Sequence, residues 1–139
     1  MNIIDTRNLI EEREDLKATI LADFNEEFPQ YDIDDFDSIL FDANGIQDWK
    51  EIWAEELDTI KRIDSVEDEV GSEFEHGVTL IEEGDFVDYC KELVSDLGVL
   101  PSELPFYIES NINWEGVAED LKIDYSELEY EGNTYLFRA

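Results

Sequence analysis

Asp85-Phe86-Val87-Asp88-Tyr89-Cys90-Lys91-Glu92-Leu93-Val94-Ser95-Asp96-Leu97-Gly98 is the stretch from which the fold class is read. Phe86, Cys90, Leu93 and Leu97 recur every three or four residues, which puts them on one face of an α-helix, and Gly98 is a natural residue to end it. Asp85, Asp88, Glu92 and Asp96 keep the same period on the opposite face, so the helix has an inside of hydrocarbon and an outside of carboxylates. The pattern repeats over residues 47–63. There Trp49, Ile52, Trp53, Leu57 and Ile60 form the stripe, and Asp48, Glu51, Glu55 and Asp58 form the line until Arg62 ends it. A shorter helix over 113–123 buries Trp114, Val117, Ala118 and Leu121 and exposes Glu115 and Glu119.

A fourth helix reads from Arg7 to Phe28. Asp5 or Thr6 is its N-cap, Leu9, Ile10, Leu16, Ile20, Leu21 and Phe24 are its apolar positions, and Pro29 is its stop. The segment 30–45, rich in aspartate, reads as a loop with a short helix. The end of the chain reads as a hairpin, Leu128–Tyr130 and Thr134–Arg138 around Glu131, Gly132 and Asn133. The fold class is therefore mostly α with a small C-terminal β-hairpin (α+β). It forms one domain over 1–139. The alternative division is a helical N-terminal unit over residues 1–70 and a C-terminal unit over residues 71–139.

Like charges three or four apart weaken a helix by a few tenths of a kcal/mol per pair, so three helices carrying such lines are built against local propensity. Local rules tend to be broken where function intrudes. The chain has nine Lys and Arg against 39 Asp and Glu, a net charge of −30 on 139 residues, where solubility alone asks for only about 2 to 8. Acidic segments are commonly disordered, but 42% hydrophobic and 12% aromatic residues are enough to build a core. The composition describes a folded polyanion. The bases are also unevenly placed: none occurs from Ala18 to Trp49 or from Ile63 to Cys90.

Spread over the roughly 7,500 Å² expected for a folded chain of this mass, the charge amounts to one per about 250 Å². Duplex DNA carries one per about 110 Å². A protein that resembles DNA to a DNA-binding partner must therefore gather its acids on one face or ridge. Such a surface repels nucleic acid and acidic lipid, so the expected partner is a basic protein. No run approaches 18 apolar residues and the first residues lack a basic n-region, so the reading expects neither membrane span nor secretory signal, and a cytoplasmic protein.

Residues capable of catalysis are few. His76, the single histidine, sits between Glu75 and Gly77 and reads as a loop residue. Cys90 lies on the apolar stripe and reads as core, and one Cys with one His does not make a zinc site. Asp32, Asp34, Asp35 and Asp37 resemble a calcium loop only in composition. From Asp32 the sixth position is Asp37 where glycine is required, and the twelfth is Ala43. The glycines form no phosphate-binding pattern. Trp49, Trp53 and Trp114 read as core anchors. The chain is expected to be no enzyme and to use no cofactor or metal, which leaves the carboxylate lines as the functional candidates.

The second half also resembles a known family. Phe86-Val87-Asp88-Tyr89, Glu92-Leu93, Leu104-Pro105, Ile112-Asn113-Trp114-Glu115-Gly116-Val117-Ala118-Glu119-Asp120-Leu121, Asp124-Tyr125 and the closing segment Tyr130 to Arg138 are similar to the C-terminal region of ArdA-type antirestriction proteins and related small phage and prophage proteins. The similarity covers roughly residues 74 to 138, and the long first helix departs from the mixed N-terminal domain of the full-length family. The resemblance implies an elongated, usually dimeric, acidic protein whose carboxylates imitate the phosphates of bent B-DNA in the groove of a type I restriction-modification enzyme. The expected function is thus a DNA-mimic inhibitor of a host defence enzyme. Asp85, Asp88, Glu92, Asp96, Asp48, Glu51, Glu55, Asp58, Glu115 and Glu119 would be the partner-binding residues. The alternatives are a phage inhibitor of another nucleic-acid enzyme, such as a CRISPR effector, and an acidic adaptor or chaperone for a basic protein.

Overall fold

A computed structural model describes residues 1–29, 33–42, 51–98 and 103–139. Strand β1 (Ile3–Asp5) leads directly into helix α1 (Thr6–Glu27). The Asp5 carboxylate caps α1 by accepting from the Arg7 backbone N–H at 2.9 Å and also binds the Arg7 guanidinium at 2.7 Å. Those two hydrogen bonds hold the Asp5 carboxyl below its usual range. Phe28 closes the helix, as the sequence indicates, by donating its N–H to the Phe24 carbonyl.

Helix α2 (Phe36–Asp42) is the short helix expected in the aspartate-rich segment. Asp35 is its N-terminal acceptor, taking both the N–H and the hydroxyl of Ser38 at 2.9 Å, and this holds its carboxyl below the usual range. Asp32 and Asp48, together with Trp49, lie outside the described residues.

Helix α3 (Ala54–Val70) runs seven residues beyond the Ile63 boundary expected from sequence, because Ile63, Val66 and Val70 continue the buried stripe of Ile60. Gly71, at φ 85°, then ends it. A 3₁₀ turn (Ser72–His76) with Phe74 fully buried precedes β2 (Thr79–Glu82). A second 3₁₀ turn (Glu83–Asp85) leads into α4 (Phe86–Asp96), and after it come α5 (Phe106–Glu109) and α6 (Trp114–Lys122). Gly98 at φ 67° stands just past α4, where the sequence places it, and Asn113, read as the first residue of its helix, instead caps α6 by accepting from the Gly116 N–H.

The hairpin is β3 (Ser126–Tyr130) and β4 (Asn133–Phe137), with Leu128 opposite Tyr135. Glu131 at φ 50° and Gly132 at φ 82° form the two-residue turn of positive φ that matches strand twist. The hairpin is half of a larger sheet. β1 and β2, too short to show alternation in the sequence, complete an antiparallel sheet of order β1-β2-β4-β3. Thr6, fully buried, ties its two ends of chain together. Its hydroxyl donates to the Phe74 carbonyl at 2.9 Å and accepts from the Val78 N–H at 2.7 Å. Gly77 permits this closure, since its φ of 96° is a backbone conformation that residues with a side chain rarely adopt.

Helices cover both faces of the sheet. Leu80, Leu128, Tyr130, Tyr135 and Phe137 pack with Leu9 of α1 and Ile63, Val66 and Val70 of α3. The alternate residues Ile81 and Leu136 pack with Phe86 and Cys90 of α4 and Ala118 of α6. Away from the sheet α1 and α3 continue as a pair around Ile20, Phe24, Ile33, Phe36, Ile39 and Ile60.

Several expected core positions are less buried than their periodicity implies. Ile52, two residues before α3, is 60% exposed, and Leu97, just past the end of α4, is 67% exposed. Trp53, Trp114, Val117 and Leu121 are half-buried, and within α6 only Ala118 is fully covered. Cys90 is fully buried, and burial pushes its thiol pKa up.

Candidate partner-binding surface

Each acid line follows from the helix that carries it. With 3.6 residues per turn, positions three and four apart rise about 4.5 to 6 Å along one face, close to the 6 to 7 Å between phosphates on a DNA strand. Glu92 and Asp96 of α4 and Glu115 and Glu119 of α6 are all exposed. Because α4 and α6 pack side by side, these four belong to one layer. Glu55 and Asp58 at the start of α3, with Glu51 just before it, are exposed too. They stand in the other helical layer, on the α1–α3 pair. The sheet separates the two lines, so they form two anionic surfaces and not one continuous ridge.

Three of the candidates have partners inside the fold. The Asp85 carboxylate accepts from the backbone N–H of Asn2 at 2.7 Å, and the Asn2 side chain donates to Glu82 and to the Tyr135 hydroxyl. Asp85 therefore fastens the start of the chain beside β2. Asp58 pairs with Arg62 at 2.5 Å, and Asp88 stands 3.8 Å from Lys91. Glu51, Glu55, Glu92, Asp96, Glu115 and Glu119 make no ion pair among the described residues.

The cations show the same division from the other side. Arg7, Arg13, Arg62, Lys91 and Lys122 are engaged in ion pairs, and the Lys17 ammonium lies 5.6 Å from the Phe36 ring centroid. Arg13 is the extreme case, only 9% exposed between α1 and α3. Its Nη1 donates to Asp64 at 2.7 Å and Glu67 at 2.8 Å, and its guanidinium lies over Phe74, 5.6 Å from the ring centroid. Burial opposes the charge, but the hydrogen bonds to Glu67 and Asp64 outweigh it and hold the guanidinium above its ordinary pKa. Arg13 falls four residues after Leu9 and seven before Ile20, inside the apolar stripe. That position is the sequence signal by which this internal counter-ion could have been found.

The sequence reading also missed acids outside the three lines. Glu11, Glu12 and Asp15 line a shallow groove along α1 with Asn8, Leu16 and Thr19. Their spacing of three and four was visible in the sequence. Glu127 and Glu129 point from the sheet edge β3, two residues apart, which on a strand is about 6.7 Å. The alternation Ser126-Glu127-Leu128-Glu129-Tyr130 carries that signal.

Among the described residues no group of three or more His, Cys, Asp and Glu could hold a metal ion. His76 is exposed at the end of its 3₁₀ turn. Within the same residues no helix is long and apolar enough to cross a membrane.

With −30 spread over 9158 Å², the net density is one charge per roughly 300 Å². This is nearly threefold below the roughly one per 110 Å² of duplex DNA. Only local concentration brings it closer, as on the faces where carboxylates stand three and four residues apart. The sequence model of the antirestriction protein family ArdA matches residues 4–134. The chain belongs to the ArdA antirestriction family. ArdA proteins are inhibitors and not enzymes. The match begins within β1, so α1, α2 and α3 belong to the family region as much as the second half, and the resemblance extends well beyond residues 74 to 138. Neither a curated protein nor a solved structure matches the chain.

Proposed function

We propose that this ArdA chain acts as a DNA mimic that enters the DNA-binding groove of a type I restriction-modification enzyme and so blocks restriction. The observation that carries the reading is the sorting of charge. Five cations are held in ion pairs, whereas Glu51, Glu55, Glu92, Asp96, Glu115 and Glu119 stand outward without one among the described residues. A fold selected for stability alone would interleave Lys with Glu on these faces. Outward carboxylates without counter-ions offer a basic groove what phosphates offer it, and a groove that already binds DNA is preorganised for them. The two anionic surfaces suit a partner that surrounds its DNA from more than one side. The protein would act in the bacterial cytoplasm, and a homodimer would lengthen the mimic. Inhibition of another nucleic-acid enzyme would use the same physics.

The test is competition. A purified type I methyltransferase core, loaded with a labelled duplex containing its site, should release the duplex as this protein is added. The apparent affinity should fall steeply between about 50 and 200 mM salt, as for a ligand making several phosphate contacts. Binding that leaves the duplex in place, or that is indifferent to salt, would refute the mimic.

A further inference from the structure

The polyanion carries one feature that electrostatic mimicry does not use. In α5, Phe106 is 80% exposed, Tyr107 61% and Ile108 46%, on a single turn that packs closely on no other described element. Pro105 starts the turn, and the Ser110 N–H and hydroxyl both bond back to the Phe106 carbonyl, so the knuckle is locally ordered. The two rings lie edge to face with centroids 5.8 Å apart. Large apolar side chains held in water in this way mark a contact surface.

We infer that this knuckle is an apolar anchor for the same basic enzyme, seated in an apolar pocket rimmed by cations. The inference rests on the mimic reading. Two observations favour that occupant over a second copy of the chain. The first is charge: Glu103 and Glu109, both exposed, flank Phe106 to Ile108 within three residues on either side. A pocket that takes the rings must therefore accept two carboxylates beside them, which a pocket rimmed by cations does. The second is area. At about 150 to 250 Å² per large side chain, the three exposed fractions amount to roughly 300 to 400 Å². Stable association of two proteins takes about 800 Å² from each. The knuckle is too small to hold two copies together but sufficient as a hot spot inside a larger, charge-driven interface. Its contribution should be insensitive to salt, unlike that of the carboxylates.

The experiment compares wild type with Phe106→Gln/Tyr107→Gln, which removes the rings and leaves every charge in place, and with Phe106→Leu/Tyr107→Leu, which keeps them apolar. Thermal melts check that both fold. In the duplex-competition assay the Gln pair should weaken binding about tenfold with an unchanged salt slope, and the Leu pair should recover most of it. Sedimentation of each protein alone should not differ. Displacement of duplex by wild type and the Gln pair at equal affinity would overturn the anchor and leave mimicry standing. A wild-type dimer that the Gln pair converts to monomer would assign the knuckle to self-association instead. Failure of the wild type to displace duplex would remove the mimic reading, and the anchor with it.

Discussion

The two helical layers on either side of the sheet solve the same electrostatic problem differently. Between α1 and α3 the chain places a nearly buried cation, Arg13, bridging Asp64 and Glu67, since both helices bring acids to the edge of their contact. Between α4, α6 and the sheet the buried side chains are apolar: Phe86, Cys90, Ala118, Ile81 and Leu136, with Tyr125 edge-on to Phe86 at 5.0 Å. Here the bridging cation is Lys122 of α6, which stays at the rim, 3.5 Å from Glu83 and 3.7 Å from Glu127, so no buried counter-ion is required. In a polyanion, where the acids sit relative to a helix contact decides whether that contact needs a cation.

The largest expected effect tests whether both layers meet the target. Asp88, Glu92, Asp96, Glu115 and Glu119 converted together to the corresponding amides keep side-chain size while removing one layer's charge. Losses of roughly 0.5 to 1 kcal/mol per contacted charge should weaken binding about a hundredfold. Glu51→Gln/Glu55→Gln/Asp58→Asn does the same for the α3 surface and should cost roughly tenfold. Competition titrations of both sets read the result. Wild-type affinity and salt slope in one set would confine the interface to the other layer, and in both would reduce the lines to solvated faces. Asp85 is left out, because it holds Asn2.

A smaller effect should separate the two interfaces by their energetics. Breaking a buried ion pair costs about 3 to 5 kcal/mol, but Asp64 and Glu67 keep 51% and 36% of their side-chain exposure, so Arg13→Met should cost only about 2 kcal/mol in urea unfolding. Adding Asp64→Asn and Glu67→Gln to Arg13→Met should restore some of it. In the other layer, Cys90→Ser buries a hydroxyl in place of a thiol and should cost about 1 to 2 kcal/mol with no change in inhibition. If the triple variant were less stable than Arg13→Met alone, the internal counter-ion account would be wrong.

The smallest effect is a titration that samples both layers at once. Burial, with Tyr89 beside it, pushes Tyr125 up to about 12, and burial, with Glu131 beside it, pushes Tyr130 up to about 12. In the unfolded chain both phenols ionise near 10. Their folded pKa values are raised, so the stability they contribute is complete below pH 10 and is lost as pH rises toward 12. Ultraviolet titration of the phenols should show these two ionising late, with unfolding over the same interval. Normal titration of Tyr130 alone would mean that the α1–α3 side of the sheet is open to water.

Much of the fold was legible locally. Asp5 as a cap, Gly98 as a stop and the hairpin turn at Glu131 and Gly132 each act through a neighbouring backbone group, so a few residues contain the whole reason. The end of α3 was readable too, from Ile63, Val66 and Val70, once the stripe is followed past Arg62. β1 and β2 were not legible, because three or four residues become strands only when partners distant in sequence supply the hydrogen bonds. The candidate site divides in the same way. That carboxylates line the outer faces of three helices follows from helical period alone.

The sequence by itself determined the charge, the longer helices and the outward direction of their acids, since these depend on composition and on a period of 3.6 residues. Only the tertiary structure decided that the α3 line and the α4–α6 line lie on opposite sides of a sheet, that Asp85 is occupied with Asn2, and that Arg13 is interior. Each of these depends on which surfaces pack together. Packing is set by contacts between residues tens of positions apart, as from Arg13 to Asp64 and from Asn2 to Asp85, and no local period encodes them.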